Sequence, residues 1–292
     1  MTLSSGNQAQ ATDVSPFGNE SNGAFSESSG TTNIAQGDVQ HYSTFLLDTS
    51  ATLSASSTST KPIIIKVFGN CTINGTVDLI GKGNIAGVGA TPGGAYYTDG
   101  EFGGSGFGIA TGGKRVAGGS TSIFGRKGGS LFNFQHGQQS FLMNGTGGGA
   151  GDSGGSGDTG GGGGASSTND GAAGSANGAT DSGADSSGGA GGGTFVLFVG
   201  GTLTFGASST IDVSGAAGGS ASGTGGGGGG SGDILIFHNG TLTDNGVTKT
   251  KGGGAGGTDT GDADANGGAG GAGAEIIVAY DTIFWSAAAY ST

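Results

Sequence analysis

Proline occurs only three times in 292 residues, at Pro16, Pro62 and Pro92, although 75 residues are glycine. Collagen needs glycine at every third place together with proline or hydroxyproline at roughly 15–20 % or more, so a collagen triple helix is excluded. Cysteine occurs once, as Cys71, so no intramolecular disulfide can form and the chain is not a stapled miniprotein. In its alternating run Cys71 reads as a small buried hydrophobe. Glutamate is nearly missing: Glu20, Glu27, Glu101 and Glu275 stand against 17 aspartates. Aspartate suits turns and glutamate suits helices, so the choice of acid is itself non-helical. Lysine and arginine together number nine and the net charge is −12, which leaves no basic patch to neutralise phosphates. Nucleic acid is therefore not an expected partner, and the acidity supplies solubility and repulsion between copies. No stretch approaches the roughly 18 apolar residues of a membrane helix, so membrane insertion is not expected. The opening Met1–Gly6 has neither a basic nor an apolar stretch and does not read as a signal peptide. Apolar residues make up 32 % of the chain, against roughly 45–50 % in an ordinary domain. A conventional layered enzyme core is not expected.

What is present is a repeat. Ile63–Phe68, Phe195–Val199 and Ile234–Phe237 are apolar runs, each followed by a Gly-Asn, Gly-Gly or Asn-Gly turn. Short alternating runs come next: Thr72–Asp78, Thr202–Phe205 with Thr210–Val213, and Thr241–Thr243. A fourth opening, Ile276–Tyr280, stops near the C-terminus. Starts near 195, 234 and 276 give a period of roughly 40 residues, and the longer gap from 63 to 195 marks a large insertion. Apolar runs of this length, rich in β-branched and aromatic residues, predict strands covered on both faces. The turn glycines are expected to supply positive φ.

Glycine runs form the other half of the pattern. Residues 145–193, 215–232 and 252–274 contain no Leu, Ile, Val, Met or aromatic residue. Glycine also recurs at 145, 148, 151, 154, 157, 160 and 163, every third place. An extended helix with three residues per turn makes no internal hydrogen bonds, so its amides must pair with neighbouring chains. Glycine allows such helices to pack closely because no Cβ intervenes. The expected fold class is all-β, with strand-pair repeats of β-solenoid type combined with bundled polyglycine-II helices and almost no α-helix. Three parts follow: residues 1–60 as an N-terminal attachment or capping segment, 61–144 as a first strand unit with an aromatic-rich insertion, and 145–292 as a glycine-rich repeat domain.

The apolar strand, the glycine turn, the Thr-Ile-Asp strand and the runs Gly145–Gly164, Gly223–Gly232 and Gly252–Gly273 together resemble the glycine-rich motifs of phage tail-fibre tip adhesins of the T-even type. The resemblance implies a polyglycine-II bundle, variable loops that contact outer-membrane proteins, and an N-terminal part docked on a fibre. The expected function is that of a virion-surface, extracellular tail-fibre adhesin, not an enzyme, binding a host surface protein or glycan through loops on a glycine-rich scaffold. Other virion or fibre proteins are expected on the N-terminal segment, and self-association is left open. Alternative readings are a purely structural virion or filament protein and, on Thr202-Leu203-Thr204 and Thr241-Leu242-Thr243, an ice-binding protein.

Candidate site residues are few. Tyr96, Tyr97, Phe102 and Phe107 lie among glycines in the insertion and are candidates for receptor contact, since aromatics on rigid loops bind at low entropic cost. Gap-filling between glycine helices is the competing role. Asp262, Asp264 and Asn266 fit the D-x-D-x-N-G opening of a calcium loop, but Gly273 stands where the bidentate glutamate belongs. Chance explains this match in so Asp- and Gly-rich a run, and no other cofactor is expected. His41, His136 and His238 lack metal-ligand spacing, and His238 is expected to be a solvated turn residue. Asp99 and Glu101 are the one close acidic pair with a glutamate, too little for glycan cleavage. Trp285 and Tyr290 read either as closing the last strand or as an exposed patch.

Overall fold

The structure is a computed structural model that describes residues 15–59, 61–83, 158–159, 163–164, 166, 176–177, 186–222, 224–261 and 266–279. Among these there is no helix. The strands are β1 (Phe25–Ile34), β2 (Val39–Tyr42), β3 (Phe45–Ala55), β4 (Ile63–Val67), β5 (Cys71–Ile73), β6 (Thr76–Asp78), β7 (Asp158–Thr159), β8 (Ala176–Asn177), β9 (Phe195–Val199), β10 (Leu203–Phe205), β11 (Thr210–Asp212), β12 (Ile234–His238), β13 (Leu242–Asp244), β14 (Thr248–Thr250) and β15 (Glu275–Ala279). Two parallel sheets dominate. One runs β15-β12-β9-β4-β2, and the other runs β13-β10-β5-β3-β6-β11-β14 with β1 beside β3. The short β7–β8 pair is antiparallel. The expected all-β class therefore holds for the described residues.

Equivalent strands of successive repeats lie side by side and in register. Ile63 pairs with Phe195, Phe195 with Ile234, and Ile234 with Glu275. Cys71 pairs with Leu203, and Leu203 with Leu242. Thr76 pairs with Thr210, and Thr210 with Thr248. Each set of three strands, such as β9, β10 and β11, forms one tier. In the tier before β4, β5 and β6 the long β3 serves two places, since Phe45–Leu47 pairs with β5 and Thr52–Ser54 with β6.

The register stacks like on like and builds the core from columns. Ile63, Phe195 and Ile234 form one column, Ile65, Leu197 and Ile236 a second, and Leu47, Ile73 and Phe205 a third, all buried. Each such side chain contributes about 1.5–3 kcal/mol by leaving water. A low apolar fraction suffices because it is concentrated at these positions. Coverage on both faces is realised in β9 and β12, where Val196 and Leu235 are also buried, but not in β4, whose Ile64 and Lys66 are half-buried. The β14 strand has no apolar residue. Lys249 takes the inward column of Val77 and Ile211, its ammonium 3.4 Å from Asp244 and 3.3 Å from Glu275.

The turn glycines are glycine for a reason other than φ. Positive φ is found at Gly18, Gly23, Gly30, Gly37, Gly81 and Gly246, not at Gly201 or Gly240. A Cβ on Gly240 would collide with Gly201 O of the tier before, and one on Gly201 would collide with Gly69 and the Asn70 side chain. Stacked turns approach too closely for any side chain there.

Among the described residues the glycine runs supply five extended segments, 186–193, 213–219, 225–232, 251–257 and 266–273. They bond to one another at steps of three residues. Gly226, Gly229 and Gly232 donate to the carbonyls of Gly219, Ala216 and Val213 at 2.8–2.9 Å. Gly228 and Ser231 donate instead to Gly268 and Gly271, both at 2.9 Å. Gly189 and Gly192 donate to Gly227 and Gly230, and Gly254 and Gly257 donate to Gly229 and Gly226. Segment 225–232 thus bonds to all four others and is buried along its whole length. It is also the segment with the longest unbroken glycine run. Alanines such as Ala255, Ala269 and Ala272 occupy exposed positions of the outer segments.

Candidate functional site

The two ends of the long insertion are held at one place on the scaffold. Gly193 donates to Leu79 O at 2.9 Å, Gly81 donates to Ser214 O at 3.2 Å, and the Gln36 side-chain amide donates to Lys82 O at 2.8 Å. Residues 79–194 join β6 to β9, the junction that residues 213–233 and 251–274 occupy in the next two tiers. One junction of the repeat has therefore grown, while the strands on either side of it stay paired in register. Part of the insertion returns to the glycine segments: Gly164 donates to Gly228 O at 2.8 Å, Gly271 donates to Gly164 O at 2.9 Å, and the buried Ser166 hydroxyl donates to Ala272 O.

Tyr96, Tyr97, Phe102 and Phe107 lie outside the described residues, as do Asp99, Glu101, His136, Trp285 and Tyr290. Asp262 and Asp264 do too, whereas Asn266 is described. Its side-chain oxygen accepts the amide of Asp259 at 3.0 Å, and Asp259 in turn accepts the amide of Gly261 at 2.8 Å. Both contacts shape the chain locally. Among the described residues no three His, Cys, Asp or Glu side chains converge as a metal site would require.

His238 is not a solvated turn residue. It is the last residue of β12, it is buried, and its Nδ1 lies 2.8 Å from Gly240 O. The inward alternation of Ile234 and Ile236 carries it to the core side. Cys71 is buried as expected, and burial pushes its thiol well above the usual range. Several charged side chains meet at the last tier. Asp244 accepts the amides of Gly246 at 2.9 Å and Val247 at 3.0 Å, which, with Lys249, hold its carboxyl below the usual range. Partial burial pushes the Glu275 carboxyl up, but Lys251 at 3.1 Å and Lys249 outweigh it and leave it lowered.

One regular surface feature is completed by the strand register. Thr72, Thr204 and Thr243 stand in register opposite the buried face of β5, β10 and β13, and Thr76, Thr210 and Thr248 do the same on β6, β11 and β14. Neighbouring strands place these hydroxyls about 4.8 Å apart. The Thr-Leu-Thr pairs of two repeats were the sequence signal. The column beginning at Thr76 was not legible without the register.

Compared with known proteins, the chain matches no family model, no curated protein and no solved structure.

Proposed function

We propose that this protein is a virion-surface adhesin of the tail-fibre type, in which a β-solenoid joined to a polyglycine-II bundle carries a host-binding insertion. The in-register parallel tiers support the solenoid. The three-residue step of the hydrogen bonds supports the glycine helices, since a threefold extended helix points every third amide at the same neighbour. The observation that carries the function is the insertion between β6 and β9. Its ends are pinned together by the Gly193–Leu79 bond, and it holds the aromatic residues Tyr96, Tyr97, Phe102 and Phe107. A rigid frame that lets one junction lengthen is suited to presenting a variable binding surface. Residues 1–60 are the part proposed to meet a fibre.

The test uses the whole chain, fluorescently labelled, on a panel of bacterial strains. The intact protein is expected to be retained by at least one strain and to block phage adsorption there. A chain with residues 90–140 replaced by a short Gly-Ser linker, and a variant carrying Tyr96→Ala, Tyr97→Ala, Phe102→Ala and Phe107→Ala, should keep the β-rich circular dichroism and lose retention. Retention of no strain, or equal retention of the variants, would overturn the reading.

The threonine columns favour a second reading, binding to ice. Thermal hysteresis that vanishes on Thr204→Lys and Thr243→Lys substitution would support it, and its absence in the intact chain would remove it.

A further inference from the structure

At the tier of β13, β14 and β15 the core columns change chemistry together. Ile73 and Phe205 are followed in register by Asp244, Val77 and Ile211 by Lys249, and Ile63, Phe195 and Ile234 by Glu275. One residue further along, the bonds from Leu79 N to Asp212 O and from Val213 N to Thr250 O keep the same register, so Leu79 and Val213 are followed by Lys251. Every apolar residue in these four columns is fully buried. Charged residues make up only 10 % of the chain, so scattered background charge does not account for four such changes at one tier.

The four charges answer one another. Lys249 Nζ lies 3.4 Å from Asp244 Oδ2 and 3.3 Å from Glu275 Oε1, and Lys251 Nζ lies 3.1 Å from Glu275 Oε2. Asp244 Oδ1 accepts the amides of Gly246 and Val247. Each carboxylate oxygen therefore has a donor from this chain, and two acids stand against two lysines. Lys249 Nζ also lies over the Phe205 ring of the tier before, 5.9 Å from its centre. The pair from Lys249 to Glu275 crosses between the two large sheets, over the end of the core. Solvent reaches this tier: Ile277 is 36 % exposed where Ile236 and Leu197 of its column are fully buried.

We infer that Asp244, Lys249, Lys251 and Glu275 form an ion-paired plug that ends the core and prevents a second copy of this chain from stacking on it. An incoming apolar tier would strip water from all four charges and could offer the carboxylates no better donors than they already have. Inward-pointing charge is one of the means by which sheets block further pairing, and a stack of repeats needs a polar end. The plug meets both needs with side chains that satisfy one another, so the end of the stack is closed without a partner. The inference does not depend on what the insertion binds.

The test uses the full chain. In the variant Asp244→Phe, Lys249→Ile, Lys251→Val and Glu275→Ile, each column keeps the residue of the tier before. It is expected to melt no lower than the intact chain, since apolar groups replacing a paired set of charges carry no desolvation penalty. Sedimentation velocity should show it as a larger species than the intact chain at the same concentration. The control Asp48→Phe with Lys61→Ile adds apolar surface at exposed positions elsewhere and should sediment like the intact chain. A second comparison decides alone if the fourfold variant does not fold. Lys249→Met should lower the melting temperature of the intact chain, where two carboxylates lose their cation. The same change should raise it in an Asp244→Asn, Glu275→Gln background, where the ammonium over Phe205 has no carboxylate to meet. A folded fourfold variant that sediments like the intact chain, a control that associates equally, or the same sign of Lys249→Met in both backgrounds overturns the inference.

Discussion

The amide of Gly229 donates to Ala216 O at 2.9 Å, while the place a Cβ on Gly229 would take is filled by Ala190 O. One residue thus touches two neighbouring segments at backbone distance, and its own carbonyl accepts from Gly254. The atoms in the way are backbone atoms, which cannot rotate aside as a side chain can. Gly229→Ala is expected to destabilise by about 3 kcal/mol or more, at or above the upper end for overpacking. A thermal melt should then fall by about 6 °C or more, taking ~2–4 °C per kcal/mol for a domain of this size class. Ala269→Ser, at an exposed position of the outer segment, should stay within about 0.5 kcal/mol.

The columns of the strand core make a second test. Ile236 is fully buried between Leu197 and Ile277 in register, so Ile236→Ala removes its contacts with both neighbouring tiers. The expected cost is about 2–5 kcal/mol in urea unfolding, from lost transfer energy and the cavity left behind. Ile80, 45 % exposed, should lose no more than about 0.5 kcal/mol on the same change.

The strands were legible where burial made them so. Phe195–Val199 and Ile234–His238 are apolar runs, and their 39-residue separation is the stacking period of the first column. β14 was not legible, because Thr248-Lys249-Thr250 has no apolar residue. Its inward side chain is a lysine whose ammonium lies over the Phe205 ring and finds carboxylates at 3.3 and 3.4 Å. The same limit hid β1, where serine and threonine make up half of the strand. The turn glycines were placed correctly but for the wrong cause, since a single chain's sequence shows a turn and not the tier above it. His238 was misplaced because Asn239-Gly240 marks a turn directly after it, while the alternation of Ile234 and Ile236 carries it inward. As for the candidate site, the insertion was legible as a gap in the repeat, but the pinning of its ends by Leu79 and Gly193 was not.

The charged end of the stack gives stability a pH dependence. Asp244 and Glu275 both titrate lower in the folded chain than in the unfolded one. A carboxylate with a lowered folded pKa contributes stability that is present above its unfolded value and is lost as pH falls through the folded value. The unfolded values lie near 3.9 for aspartate and 4.3 for glutamate, so the contribution is whole at neutral pH and drains away below about pH 4. Glu275→Gln is therefore expected to lower the melting temperature at pH 7 and to make little difference near pH 2.5. Melts at intervals between those limits check this, and a constant offset at every pH would show that the carboxylate charge does not matter. Molar salt should shrink the difference at pH 7, since the pairs are partly exposed.

Cys71 offers a clock for opening of the core. It is fully buried between Phe45 and Leu203 in its column, and burial holds its thiol well above the usual range. The thiolate is the reacting form, so both access and ionisation protect it. An aromatic disulfide reagent at pH 8 is expected to leave the native protein unmodified over hours and to react fully within minutes in concentrated denaturant. At intermediate urea the modification rate should follow the unfolded fraction measured by circular dichroism, because the strands on both sides of Cys71 must separate before the sulfur is reached. A rate that rises before the circular dichroism changes would mean that the β3–β5–β10 region opens locally, ahead of the rest of the stack. In that case Leu203→Ala, which thins one wall of the thiol's surroundings, should quicken the early reaction more than Ile236→Ala does.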